Sequence, residues 1–299
     1  MKVLVTGANG LLGQKLCELL AQDVNIKLIA TAKDALKYQI NKASIDLLDI
    51  SNALQVEEIF SKYQPDVVVH TAALTNVDEC ELNKVKCWEI NVDGTEHLLK
   101  AAAKIQAHFI FISTDFIFDG TQELLDENAV AAPVNYYGES KLAAEKLTAS
   151  YVGPWSIIRT VLVYGYNPHM SRSNIVLWVK ESLEAKKEIQ VVADQLRTPT
   201  FADDLALGCY QVIKKKATGI YHISGEELMS PYDIAIKVAN HFKLDSSFIK
   251  KSNSTEFKQP AVRPLKTGFN IQKAKSRLAY EPKSFDESLK ILSEQLQNT

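Results

Sequence analysis

The stretch Lys2-Val-Leu-Val-Thr6-Gly7-Ala-Asn-Gly10-Leu11-Leu12-Gly13 decides the fold. Its first half is a short β-branched and aliphatic run that stops at a glycine. After Gly13, Leu16, Leu19 and Leu20 recur at helical spacing as far as Ala21. A GxxGxxG pattern between a strand and a helix has a specific physical use. Gly7 permits the tight turn, Gly10 lets the main chain approach a pyrophosphate, and Gly13 lets the helix pack close on the strand. The first N–H groups of that helix, around Leu11 and Leu12, then face the phosphates.

Outward from this motif the same alternation continues. Apolar runs at Lys27–Thr31, Val67–Thr71, Phe109–Thr114 and Ser156–Thr160 are separated by amphipathic stretches at Ala53–Tyr63, Val92–Lys104 and Ser140–Ala149. Short buried runs alternating with longer helical periods predict βαβ units, hence an α/β chain with a Rossmann-like doubly wound parallel sheet. Beyond Gly165 the pattern loosens. Helices are expected at Ile175–Ala185, Phe201–Lys216, Pro231–Phe242 and Ser284–Leu296, and strands at Ile189–Ala193 and Gly219–Ser224. This divides the chain into a nucleotide-binding domain, 1–165, and a smaller C-terminal α/β substrate-binding lobe, 166–299, with 198–220 returning to the first.

Composition narrows the function. The 299 residues are 46% hydrophobic and 23% charged, within the range of globular proteins and far from disordered ones. Thirty-four basic against 36 acidic residues leave a net charge of −2, which is no footprint for nucleic acid or an anionic membrane surface. The four cysteines form no CxxC pair, the N-terminus reads as a strand and not a leader, and no run approaches a membrane span. A cytoplasmic location is the expectation. His169 has no second ligand at metal-binding spacing, so no metal site is expected.

The second strand ends Ala30-Thr31-Ala32-Lys33 with no carboxylate before Asp34. An acid there would hold a ribose 2′-hydroxyl; a lysine leaves room for a 2′-phosphate. Thr31 and Lys33 are therefore candidates for a cofactor of the NADP(H) type, favoured over NAD(H), with Asp49 and Ile50 at the adenine edge.

The chemistry sits further along. Phe109–Phe118 reads FIFISTDFIF and places Ser113, Thr114 and Asp115 at the C-terminal end of a buried strand, where open α/β sheets bind ligands. Tyr137-Gly-Glu-Ser-Lys141 then opens a helix with Tyr and Lys on one face. A phenol is a useful acid–base near neutrality when an ammonium offsets its phenolate, and the same ammonium can hold a nicotinamide ribose. Tyr137 and Lys141 are thus candidates for both catalysis and cofactor binding. Thr114 is placed to hydrogen-bond the substrate oxygen.

Taken together, VTGANGLLG, HTAALTNVDECE (70–81), STDFIFDG (113–120), NYYGESKLAAEK (135–146), RTVLVYG (159–165), DQLRTPTFADDLA (194–206), GIYHISG (219–225) and RPLKTGFN (263–270) resemble the extended short-chain dehydrogenase/reductase superfamily. Within it the chain is most similar to the dTDP-4-dehydrorhamnose reductase family. The resemblance implies that Tyr137 is the proton donor, Lys141 its partner and Thr114 the third member of the triad. Hydride would pass from the nicotinamide to the C4 ketone of a nucleotide-linked 4-keto-6-deoxysugar. Ala72, Ala73 and Leu74 match cofactor-lining positions; Thr75, Val77, Thr114 and Asp115 match positions near the sugar. A homodimer is a family expectation.

Three departures fall on the substrate side. Leu162 stands where the family pattern RTSWVYG has tryptophan, Lys266-Thr267-Gly268 replaces the Asn-Ser of RPxNSxL, and Arg197 replaces the glycine of DQxGxPT. Arg197 and Arg263 are candidates for the substrate diphosphate, since a guanidinium matches phosphate bidentately. Asn174 is placed to border the sugar, and Asn91 reads as a helix-start cap. Two further readings stand beside the reductase. One is a non-catalytic NADP-binding regulator resembling the methionine adenosyltransferase β subunit. The other is a nucleotide-sugar epimerase; dehydration is disfavoured because Phe116, not Glu, follows Asp115.

Overall fold

The computed structural model describes residues 1–170 and 172–297. In chain order the elements are β1 (Lys2–Thr6), α1 (Leu11–Gln22), β2 (Lys27–Ala32), β3 (Ala43–Leu47), α2 (Ala53–Tyr63), β4 (Val67–His70), α3 (Val77–Leu82), α4 (Lys84–Trp88), α5 (Gly94–Ile105), β5 (His108–Thr114) and α6 (Tyr136–Ala149). There follow β6 (Trp155–Thr160), β7 (Val163–Tyr164), α7 (Ile175–Glu184), β8 (Ile189–Val192), β9 (Thr200–Phe201), α8 (Ala202–Lys215), β10 (Gly219–His222), α9 (Pro231–Phe242), β11 (Ile249–Ser252), α10 (Gln272–Leu278) and α11 (Phe285–Gln297).

Seven strands form one sheet in the order β3-β2-β1-β4-β5-β6-β10, every pair parallel. The order reverses between β1 and β4, so a crevice opens there at the C-terminal edge, the place where such sheets bind ligands. All four residues of β4 are buried, the pattern of a strand covered on both faces. β3 lies at the sheet edge and is half exposed, which is why its sequence carries no continuous apolar run.

Helices cover both faces. Leu16 and Leu20 of α1 pack with Leu205 and Val212 of α8 on one side; Val56 of α2, Leu98 of α5 and Ala144 of α6 fill the other. β10 extends this sheet and α8 packs in the same cluster as α1. Ala274 and Leu278 of α10 are buried in the same cluster as α1 and α8, so the tail returns as well. The remaining elements, α7, β8, α9, β11 and α11, enclose a separate core that includes Leu183, Val191, Val238 and Leu289.

Two boundaries differ from the periodicity reading. α6 starts at Tyr136, four residues before Ser140, because Asn135 caps it by accepting the Gly138 N–H at 2.9 Å. α5 is preceded by a π-helical turn, Glu89–Asp93. The short helices α3 and α4 have no apolar period long enough to be read.

Candidate active site

A cleft of about 640 Å³ runs along the C-terminal edge of the sheet, within the size range of small-ligand sites. One wall is the glycine loop. Gly7 has φ +70°, and a Cβ there would stand 2.7 Å from the Ala72 nitrogen. At Gly13 a Cβ would stand 2.3 Å from the Gly7 carbonyl oxygen. These positions are closed to any side chain. Gly10, Leu11, Leu12 and Gly13 line the cleft with the N-terminal turn of α1, whose N–H groups have no intrahelical acceptor. Backbone donors on a positive helix end fit a diphosphate.

The adenine-end candidates lie outside this cleft, at the ends of β2 and β3. Lys33 forms an ion pair with Asp49 at 2.7 Å, and that pairing, with hydrogen bonds from Ser51, outweighs the effect of burial and lowers the Asp49 pKa. Thr31 is buried, and its hydroxyl donates to the Val5 carbonyl, so its side chain serves the sheet and not a ribose. Ile50 is also buried and packs on Gly94. Ala72 meets Gly7 and does not line the cleft.

The opposite wall carries the acid–base candidates. Thr114 closes β5, and its oxygen accepts the Phe116 N–H at 3.2 Å while its hydroxyl donates to Asp115 Oδ1 at 3.1 Å. Tyr137, in the first turn of α6, is buried against the edge of the Phe116 ring, with centroids 5.9 Å apart. Burial raises its phenol pKa, a hydrogen bond with Thr114 opposing the rise, so the phenol keeps its proton at neutral pH. Lys141, one turn on, is buried with its ammonium 4.0 Å from the centroid of Phe111. Burial brings its pKa down to about 7, Glu145 opposing through space. Glu145 itself is engaged with Arg159 at 2.8 Å. The buried Ser113 hydroxyl has no partner among the described residues.

Of the other substrate-side candidates, Ala73, Leu74, Thr75, Val77 and Asn174 line the cleft. Asn174 is already occupied: it caps α7 through the Val176 and Leu177 N–H groups and donates to the Gly165 carbonyl at 2.7 Å. Asp115 reaches the cleft, but its carboxyl turns away to Thr267 and Arg197.

The two arginines read from sequence as phosphate ligands are not in the cleft. Arg263 pairs with Asp78 through two hydrogen bonds of 2.7 Å, tying the tail to α3. Arg197 is only 4% exposed and is held by main-chain carbonyls. The arginine that does line the cleft is Arg172, which donates to Thr75 Oγ1 at 3.1 Å from the other side. Nothing in its sequence neighbourhood distinguishes it from a surface arginine.

Asn91 is likewise not a helix cap. Its side chain accepts the Leu74 N–H at 2.8 Å and donates to the Leu74 carbonyl and to Ser140 Oγ, which donates to the Tyr137 carbonyl. It thereby ties the loop at Leu74 to α6. The π-helical turn that holds it is a common device at functional sites and has no sequence period of its own. The free thiols of Cys80 and Cys87 are buried in the same cluster as Tyr137.

A family model described as RmlD substrate binding domain matches residues 1–298. Among curated proteins, the spore coat polysaccharide biosynthesis protein SpsK of Bacillus subtilis is 33% identical over 88% of this chain and 87% of its own length. Methionine adenosyltransferase 2 subunit beta of Pongo abelii is 32% identical over 83% of this chain and 74% of its own length. Among solved structures, a dTDP-4-dehydrorhamnose reductase of Clostridium acetobutylicum superposes with a TM-score of 0.88 at 31% identity, covering 99% of this chain and 100% of that one. The Bacillus anthracis dTDP-4-dehydrorhamnose reductase, in complex with NADP, gives 0.85 at 28% identity, covering 98% and 99%.

Proposed function

The chain belongs to the RmlD substrate binding domain family of extended short-chain dehydrogenases/reductases, and from that premise we propose that it reduces the C4 ketone of a nucleotide-linked 4-keto-6-deoxysugar with NADP(H). The observation that carries the reading is one cleft lined by a bare glycine loop, Thr114, Tyr137 and Lys141.

A reduced nicotinamide bound there supplies the hydride. The glycine loop and the first turn of α1 would hold its diphosphate, and Lys33 its 2′-phosphate, in competition with Asp49. Tyr137 donates its proton to the oxygen of the carbonyl as negative charge develops; its raised pKa keeps that proton available at neutral pH. Lys141, as an ammonium, binds the nicotinamide ribose and offsets the phenolate left on Tyr137. Thr114 holds the phenol. Arg172, bridging to Thr75 across the cleft, is our assignment for the substrate diphosphate in place of Arg197 and Arg263.

The test is oxidation of NADPH in the presence of dTDP-4-keto-6-deoxysugar formed in situ. Turnover is expected, and Tyr137→Phe should lower it by roughly 10²–10⁴-fold while NADPH still binds. Turnover retained in the variant would remove Tyr137 as donor. A second reading, a non-catalytic NADP-binding regulator, is favoured by the 32% identity to the methionine adenosyltransferase subunit. Absence of turnover together with co-purification of a partner enzyme would select it. A reducing, cytoplasmic compartment suits the four free thiols.

A further inference from the structure

We infer that Arg197 is a positioning residue: with Thr267 it clamps Asp115 behind the cleft, so that Asp115 fixes the Thr114 hydroxyl and the Arg197 guanidinium steadies the Phe116 ring against Tyr137. The inference rests on the ketoreductase reading, in which Thr114 and Tyr137 meet at the reacting oxygen.

Arg197 has no donor left for a ligand. A guanidinium carries five N–H groups. Nη1 donates to the carbonyls of Leu196 (2.8 Å) and Leu265 (2.9 Å), Nη2 to the Pro264 carbonyl (2.5 Å) and Gln195 Oε1 (3.4 Å), and Nε faces Asp115 Oδ2 at 3.5 Å. The main chain at 197 is pinned as well, exchanging hydrogen bonds with Met229 at 2.9 and 2.8 Å. Leu196 and Thr267 are joined through a 3.1 Å bond. The side chain is therefore held in one place by the C-terminal tail.

Two lines run from this anchor to the catalytic pair. The first passes through Asp115, which is 1% exposed. Thr267, fully buried, donates its hydroxyl hydrogen to Asp115 Oδ2, the oxygen that also faces Arg197. Oδ1 is left to accept the single hydroxyl hydrogen of Thr114. With that hydrogen engaged and one lone pair taken by the Phe116 N–H, the Thr114 side chain is held in one orientation on the cleft wall it shares with Tyr137. The second line is direct: the Arg197 guanidinium carbon lies 5.9 Å from the Phe116 ring centroid, and that ring meets Tyr137 edge-on.

The same geometry links two of the substrate-side departures, Arg197 and Thr267, to one buried carboxyl. Their function is to orient the acid, not to recognise the sugar nucleotide. A positioning residue and a diphosphate ligand then part company in kinetics, because misplacing the acid lowers kcat and losing a phosphate contact raises KM.

The experiment compares wild type with Arg197→Lys, which keeps charge but loses the planar fork, and Thr267→Val, which removes one hydroxyl. For each variant, kcat and KM for dTDP-4-keto-6-deoxysugar, NADPH affinity and the deuterium isotope effect with 4-deuterated NADPH are measured. Arg197→Lys should lower kcat on the order of 10–100-fold and Thr267→Val about 3–10-fold. KM and NADPH affinity should stay within about twofold, and the isotope effect should rise as chemistry becomes more limiting. Loss of folded protein alone leaves the isotope effect unmoved, and that result overturns the inference. So does a raised KM at unchanged kcat. If Arg197→Lys does not fold, Thr267→Val decides by the same criteria. Wild type that reduces no keto-sugar overturns the ketoreductase reading, and this inference with it.

Discussion

The glycine loop and the C-terminal tail both carry groups suited to phosphate, and they hold them in opposite ways. In the loop the donors are main-chain N–H groups at the start of α1, facing a cleft that Gly10 lines without a side chain. In the tail the donors are the guanidinium groups of Arg197 and Arg263, both directed inward, onto Asp115, Asp78 and a set of carbonyls. The comparison teaches that residue type alone does not make a ligand site. The first N–H groups of α1 have neither an intrahelical acceptor nor a side-chain cap, whereas an arginine takes whichever carboxylate the fold brings to it.

The contrast can be broken most severely at the loop. Gly13→Ala would put a methyl group 2.3 Å from the Gly7 carbonyl, so melting temperature and NADPH affinity should both fall, with strain of about 1–3 kcal/mol. Gly10→Ala meets only the Gly7 carbonyl at 3.3 Å and should fold normally while binding NADPH more weakly. Isothermal titration beside thermal melts separates the two. Equal effects at both positions would mean that the loop is merely tight packing.

On the tail the expectation is reversed. Arg263→Ala should lower stability by about 1–2 kcal/mol, from a partly buried bidentate pair, with NADPH affinity unchanged. Asp78→Ala should do the same, and the double variant no more than either alone, as read by urea denaturation. A variant of normal stability with a raised substrate KM would return Arg263 to the cleft.

Lys141 sharpens the comparison through pH. Its folded pKa, about 7, lies below the ordinary 10.5 because the charge is buried. Between these values the unfolded chain holds more protons than the folded one, so this residue's contribution to stability rises with pH across the window. Turnover moves the other way, falling as pH climbs through about 7 and the ammonium is lost. Lys141→Met should therefore melt higher than wild type at pH 6 and be inactive. The smallest effect is expected at Lys33, mostly exposed and shared with Asp49. Lys33→Ala should reduce the preference for NADPH over NADH by a few fold, and Asp49→Asn should increase it, both read from kcat/KM ratios.

Much of this architecture is legible in the sequence where constraints are local. β1, the glycine loop and α1 follow one another without a break, and Tyr137 and Lys141 share a turn of α6, so spacing alone places them. Arg263 meets a partner 185 positions away, and Thr267 meets Asp115 across 152. No period records such contacts. Asn91 is the intermediate case: its position at the start of a helix is readable, but its bonds to Leu74 and Ser140 depend on a π-helical turn and on the packing of α6. β3 is marked only by the close of its pattern at Asp49-Ile50, since an edge strand does not need the apolar run that marks a buried one.

The most direct test of the account follows the hydrogen. With 4-deuterated NADPH of the transferring face and dTDP-4-keto-6-deoxysugar, deuterium should appear at C4 of the product sugar, one atom for each cofactor oxidised. Product carrying no deuterium, or cofactor left unoxidised while the sugar is epimerised, would contradict it.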